Sequence, residues 1–94
     1  MAQNIEVKTL FFAEGISKLV DDWANSNNIS RHNSAQRIIS ASVNKPVKVF
    51  FIDSNIIVHL PARFVKEWRN AGRSDEVIIK HCVITGLAKV SNAM

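Results

Sequence analysis

Few side chains in this 94-residue sequence could carry covalent or metal chemistry, and their spacing argues against it. His32, His59, His81 and the single Cys82 are the first candidates for metal ligands or a nucleophile with its base. His81 and Cys82 are adjacent, so on a helix they point about 100° apart. No Cys-x-x-Cys or His-Glu-x-x-His spacing occurs. Cys82 lies in an apolar stretch and reads as a buried, inert thiol, and His59, between Val58 and Leu60, as a strand-face histidine. Asp21 and Asp22 read as a solvated helix face rather than a proton-sharing pair. Gly15, Gly72 and Gly86 are too scattered to cradle a phosphate. The expectation is a protein that is not an enzyme and uses no cofactor and no metal.

Binding is the remaining class. Twelve basic residues against eight acidic give a net charge of +4. The excess lies late in the chain: five basic against four acidic residues up to Lys45, then seven against four. An acidic partner such as nucleic acid suits that balance. Apolar residues make up 47% of the chain, enough for one modest core, so residues 1–94 are expected to form a single domain. No apolar run reaches membrane-spanning length, and the first residues lack the pattern of a secretory signal. With a lone cysteine, a cytoplasmic location is expected.

The elements that would position a binding surface come in a near-repeat. Leu19, Val20, Asp22, Trp23 and Asn25 recur 45 residues later as Phe64, Val65, Glu67, Trp68 and Asn70. One residue is then lost from the loop, and Ser30, Ala35, Ile38, Ile39 and Val43 recur as Ser74, Ile79, Cys82, Val83 and Leu87. Residues 5–45 and 46–90 thus read as two copies of one supersecondary unit, with Trp23 and Trp68 expected in matching core environments.

Within the first copy, Ile5 to Phe12 predicts a strand. Ile16, Leu19, Val20 and Trp23 predict one apolar helical stripe. The run Asn25 to Asn28 ends that helix, and Ser30 or Asn33 caps a second one that closes before Pro46. Val47 to Ile52 and Asn55 to Leu60 predict a hairpin turning at Asp53-Ser54. Pro61 suits the first turn of the next helix, Gly72 ends it, and Ser74 caps the last element. Val77 to Val90 fits either strand or helix by composition, and the repeat favours helix. The fold class expected is α+β, two βαα units with an extra hairpin strand between them.

Leu60-Pro61 before an amphipathic helix, followed by Gly72-Arg73-Ser74, resembles the ribbon-helix-helix DNA-binding family. Thr9 to Val43 resembles a weaker copy, with Phe12-Ala13 standing at Leu60-Pro61, and two copies in one chain are similar to that family's tandem members. The resemblance implies a transcription regulator or accessory factor that places an antiparallel ribbon in the major groove of double-stranded DNA. Ile56, Val58 and Leu60 would face the core. Asn55, Ile57 and His59 would face DNA, matched by Val7, Thr9 and Phe11. Thr9 and His59 would lie nearest the bases, and Arg31, Arg37, Arg63 and Arg73 would contact phosphates.

This chain departs from that pattern in placing Val7, Phe11 and Ile57 on the reading face and Lys8 inward, Asp75 and Glu76 after Ser74, and the strand Val47 to Ile52 between the copies. The alternative is an interaction or inhibitor protein of the kind phages or mobile elements encode, its apolar strands pairing with a partner or with a second copy. In either case self-association near the hairpin is expected, because Val49 to Ile52 and Ile56 to Val58 carry more apolar surface than one small core covers.

Overall fold

A computed structural model of the chain describes residues 4–11 and 15–92. Three strands and four helices follow in the order β1 (Asn4–Leu10), α1 (Ile16–Asn27), α2 (Arg31–Val43), β2 (Lys48–Ile52), β3 (Asn55–Pro61), α3 (Ala62–Asn70) and α4 (Asp75–Asn92). The fold is α+β. The sheet is antiparallel with β3 in the middle, in the order β1-β3-β2. Val7 pairs with Val58 on one side of β3, and Val49 pairs with the same residue on the other.

Each boundary has a local cause. Asn28 and Asn44 end α1 and α2 in left-handed geometry, at φ 55 and φ 58, which Asn tolerates better than most side chains. Ser30 caps α2, its Oγ accepting from the Asn33 amide at 3.1 Å. Forty-four positions on, Ser74 caps α4 in the same way, its Oγ accepting from the Val77 amide at 3.3 Å. The backbone carbonyls of the two serines accept from Ser34 and Ile78 at 2.9 and 3.0 Å, again in equivalent positions. Asp53, at φ 56, makes the tight turn between β2 and β3.

The helices share one face of the sheet. Val7, Val49, Ile56, Val58 and Leu60 point from the sheet into a single core, where they meet Ile16 and Val20 of α1, Ile38 and Ile39 of α2, Val65 of α3 and Ile78, Ile79, Cys82 and Val83 of α4. The ambiguous stretch after Val77 is helical, because Ile78, Ile79, Cys82 and Val83 reach the core only at helical spacing.

Three details differ from expectation. Leu19 is exposed, and Ile16, Val20 and Ala24 form the buried stripe of α1. Trp23 and Trp68 are half-buried at the margin of the core rather than inside it. Pro61 is the last residue of β3 and the cap of α3, not part of its first turn. Phe12 and Ala13, aligned with Leu60-Pro61 by the resemblance, lie outside the described residues.

Candidate functional site

With the helices on one side, the other side of the sheet carries a three-by-three array of side chains fixed by the strand register. One row is Glu6, His59 and Lys48, the next is Lys8, Ile57 and Phe50, and the third is Leu10, Asn55 and Ile52. In each row the residues come from β1, β3 and β2 in that order. No described helix packs over this array, and Leu10, Phe50 and Ile52 are 55%, 44% and 53% exposed. Ile57, under its neighbours on the central strand, is buried. The face is therefore charged at one end and apolar at the hairpin end.

Contacts within the face are few. His59 Nε2 lies 4.0 Å from Glu6 Oε1, too far for a hydrogen bond, and its ring is tilted 5.5 Å from that of Phe50. The outer edge of β2 is tied to α2 instead: His32 Nε2 donates to the Val49 carbonyl at 2.8 Å, and the Val47 amide donates to Ser40 Oγ at 3.1 Å.

Thr9 and His59, expected nearest the bases, lie on opposite faces of the sheet. Thr9 is a correction: it pairs with Ile56 on the core side, while His59 points to the open face. Val7 and Phe11, placed with it on the reading face, are buried for the same reason. The β1 residues that share a face with Asn55, Ile57 and His59 are Glu6, Lys8 and Leu10.

Arg31 is engaged within the fold. Its Nε and Nη2 donate to the two carboxylate oxygens of Asp21 at 2.8 and 2.6 Å, and its guanidinium sits 5.3 Å from the centre of the Phe11 ring. The hydrogen bond from Arg31, helped by its charge and opposed by desolvation, holds the Asp21 carboxyl below its usual range, and Asp21 raises Arg31 in return. The equivalent position in the second half is Asp75, which accepts from Arg69 Nε and Nη2 at 3.1 and 3.0 Å. The start of each second helix is thus pinned to the helix before it, with the charges exchanged. Arg69 also donates from Nη2 to the Glu6 carbonyl at 3.3 Å and so joins α3 to β1.

The remaining arginines are exposed on the helical side. Arg37 borders a shallow groove with Ser40, Lys45 and Pro46. Arg63 borders a hollow with Asn44, Lys45, Phe64 and Glu67. Arg73 lies beside Glu67 and Trp68.

Among the described residues the three histidines lie apart from one another. His32 is at the sheet edge, His59 on the open face, and His81 against the Trp68 ring at 4.5 Å. Cys82 is fully buried, and burial pushes its thiol pKa up, against a smaller lowering by a hydrogen bond with Ser42. Among the described residues no three His, Cys, Asp or Glu side chains converge to hold a metal, and no helix is long and apolar enough to cross a membrane.

Comparison with protein-family models, with curated proteins and with solved structures finds no match for this chain.

Proposed function

We propose that this chain is a protein-interaction module that binds through the open face of its sheet, on a frame resembling a tandem ribbon-helix-helix protein. The observation that carries the reading is the hairpin end of the open face, where Leu10 on one outer strand and Phe50 and Ile52 on the other are large apolar side chains each 44% exposed or more, with Asn55 of the central strand between Leu10 and Ile52. Exposed apolar surface of this kind is stabilised by a covering partner. The width of the face supports the same reading. Three strands about 4.8 Å apart span roughly 10 Å between the outer backbones before side chains are added, whereas a major groove about 12 Å wide accommodates a two-stranded ribbon.

A second reading, duplex DNA, is favoured by a different observation. β1 and β3 pair antiparallel, and each leads through one helix to a second helix capped by Ser30 or Ser74 in equivalent geometry. In that reading Lys8, Asn55 and His59 would approach the bases, and Arg37, Arg63 and Arg73 the phosphates. The Arg31–Asp21 pair and the acids Asp75 and Glu76 at the start of α4 weigh against it, since one ties up a cation and the others repel phosphate.

Photo-crosslinking separates the readings, with a photoreactive amino acid placed at position 50 on the sheet or at position 37 on the helical side. The protein reading expects protein crosslinks from position 50 that are lost when Leu10 and Ile52 become Lys. Crosslinks from position 50 to random-sequence duplex DNA at about 50 mM salt would overturn it.

A further inference from the structure

We propose that the partner covering the sheet face is a second copy of this chain, related by a twofold axis that runs along the strands within the interface. This rests on the reading of that face as a protein-binding surface. The reason is the arrangement of the array. A twofold axis along the strands keeps each row opposite itself and exchanges β1 with β2. Glu6 then faces Lys48 of the second copy, and Lys48 faces Glu6 of the second copy. Leu10 faces Ile52 in both directions, and Lys8 lies over Phe50, a cation on an aromatic face. On the axis, Asn55 and His59 of the central strand meet their own counterparts, the two Asn55 amides can hydrogen-bond, and Ile57 stays beneath the Lys8 and Phe50 side chains that make the contact.

The other in-plane axis, across the strands, gives no such match. It would place Glu6 over Leu10 and Lys48 over Ile52, removing charges from water against apolar groups. The array is therefore self-complementary in one orientation only, as an isologous interface requires. It also suits the aligned packing of two twisted sheets, about 30° apart. Edge-to-edge pairing through β2 is less favoured, because His32 already takes the Val49 carbonyl on that edge.

The test is charge reversal, read by sedimentation equilibrium on the full chain. Glu6 and Lys48 are exposed, so Glu6→Lys and Lys48→Glu should fold normally, which circular dichroism checks. Each change acts twice in a twofold interface and should weaken the dimer by about tenfold or more. An equimolar mixture of the two variants should associate as a heterodimer, because one chain then carries lysine at both positions and the other carries glutamate at both. The double variant should regain the wild-type association. Wild-type protein that stays monomeric at high micromolar concentration would overturn the second-copy pairing and leave the face open to a different protein. A dimer that both single variants and Phe50→Lys leave unchanged would overturn pairing through this face altogether.

Discussion

Gly86 of α4 lies directly against the backbone of Ile38 in α2: a Cβ added at Gly86 would sit 1.9 Å from the Ile38 carbonyl oxygen and 2.7 Å from its carbonyl carbon. The two longest helices cross there, and only the missing side chain lets them approach. In an open helix Gly→Ala would stabilise by about 1 kcal/mol. Here Gly86→Ala should instead destabilise by about 3 kcal/mol, the upper end for overpacking a core. A urea midpoint unchanged or raised by the substitution would mean the helices do not cross at this point.

The serine caps give a smaller and paired effect. Ser30→Ala and Ser74→Ala each remove an acceptor from an otherwise unsatisfied amide at a helix start, at a cost of about 1 kcal/mol. The two should cost alike, because the caps share one geometry. Thermal or urea unfolding of the two variants checks this, and a variant as stable as wild type would refute its cap.

Acid should weaken the fold partly through Asp21. Its carboxyl is held below the ordinary value of 3.8, chiefly by the hydrogen bond from Arg31, so it ionises more readily folded than unfolded. The resulting stability is complete above that ordinary value and is lost as pH falls through the lower, folded one. Asp21→Asn should therefore cost about 1 kcal/mol or less at neutral pH, the pair being part-exposed. It should also flatten the loss of stability below about pH 4. Parallel pH profiles for wild type and variant would refute this.

Cys82 should resist thiol reagents while the protein is folded. It is fully buried and its thiol pKa is raised by burial, so little reactive thiolate is available or accessible. Labelling at the rate of a free thiol in native buffer, rather than at the rate of opening, would contradict its place between α4 and the core.

The elements were more legible in the sequence than the faces they present. Asp53-Ser54 between two apolar runs marks the hairpin, Ser30 and Ser74 mark their helices, and the parallel with Ala35 to Val43 tips the stretch after Val77 to helix. The face of β1 was legible in Ile5-Glu6-Val7-Lys8, where apolar and charged residues alternate and so turn Val7 and Thr9 inward, as the pairing to β3 has them. The resemblance, which put Val7 and Thr9 on the reading face, overrode that signal, and Leu10-Phe11 gave no further alternation to restore it. Phe50 and Ile52 could have been found, since a two-residue turn that pairs Ile52 with Asn55 puts Phe50 on the same face as Ile57. Trp23 and Trp68 misled because their stripes do meet the core, yet the rings rest at its margin.

Amide chemical shifts of the labelled protein report, residue by residue, what the sheet face touches. On dilution from high to low micromolar concentration, the amides that move should be those of β1, β2 and β3 around Lys8, Phe50 and Ile57, with α3 and the start of α4 unaffected. Addition of random-sequence duplex DNA at about 50 mM salt should leave the sheet amides in place. Sheet amides that ignore dilution but shift with DNA, together with those at the starts of α2 and α4, would contradict pairing through the sheet face and establish the ribbon as a nucleic-acid reader.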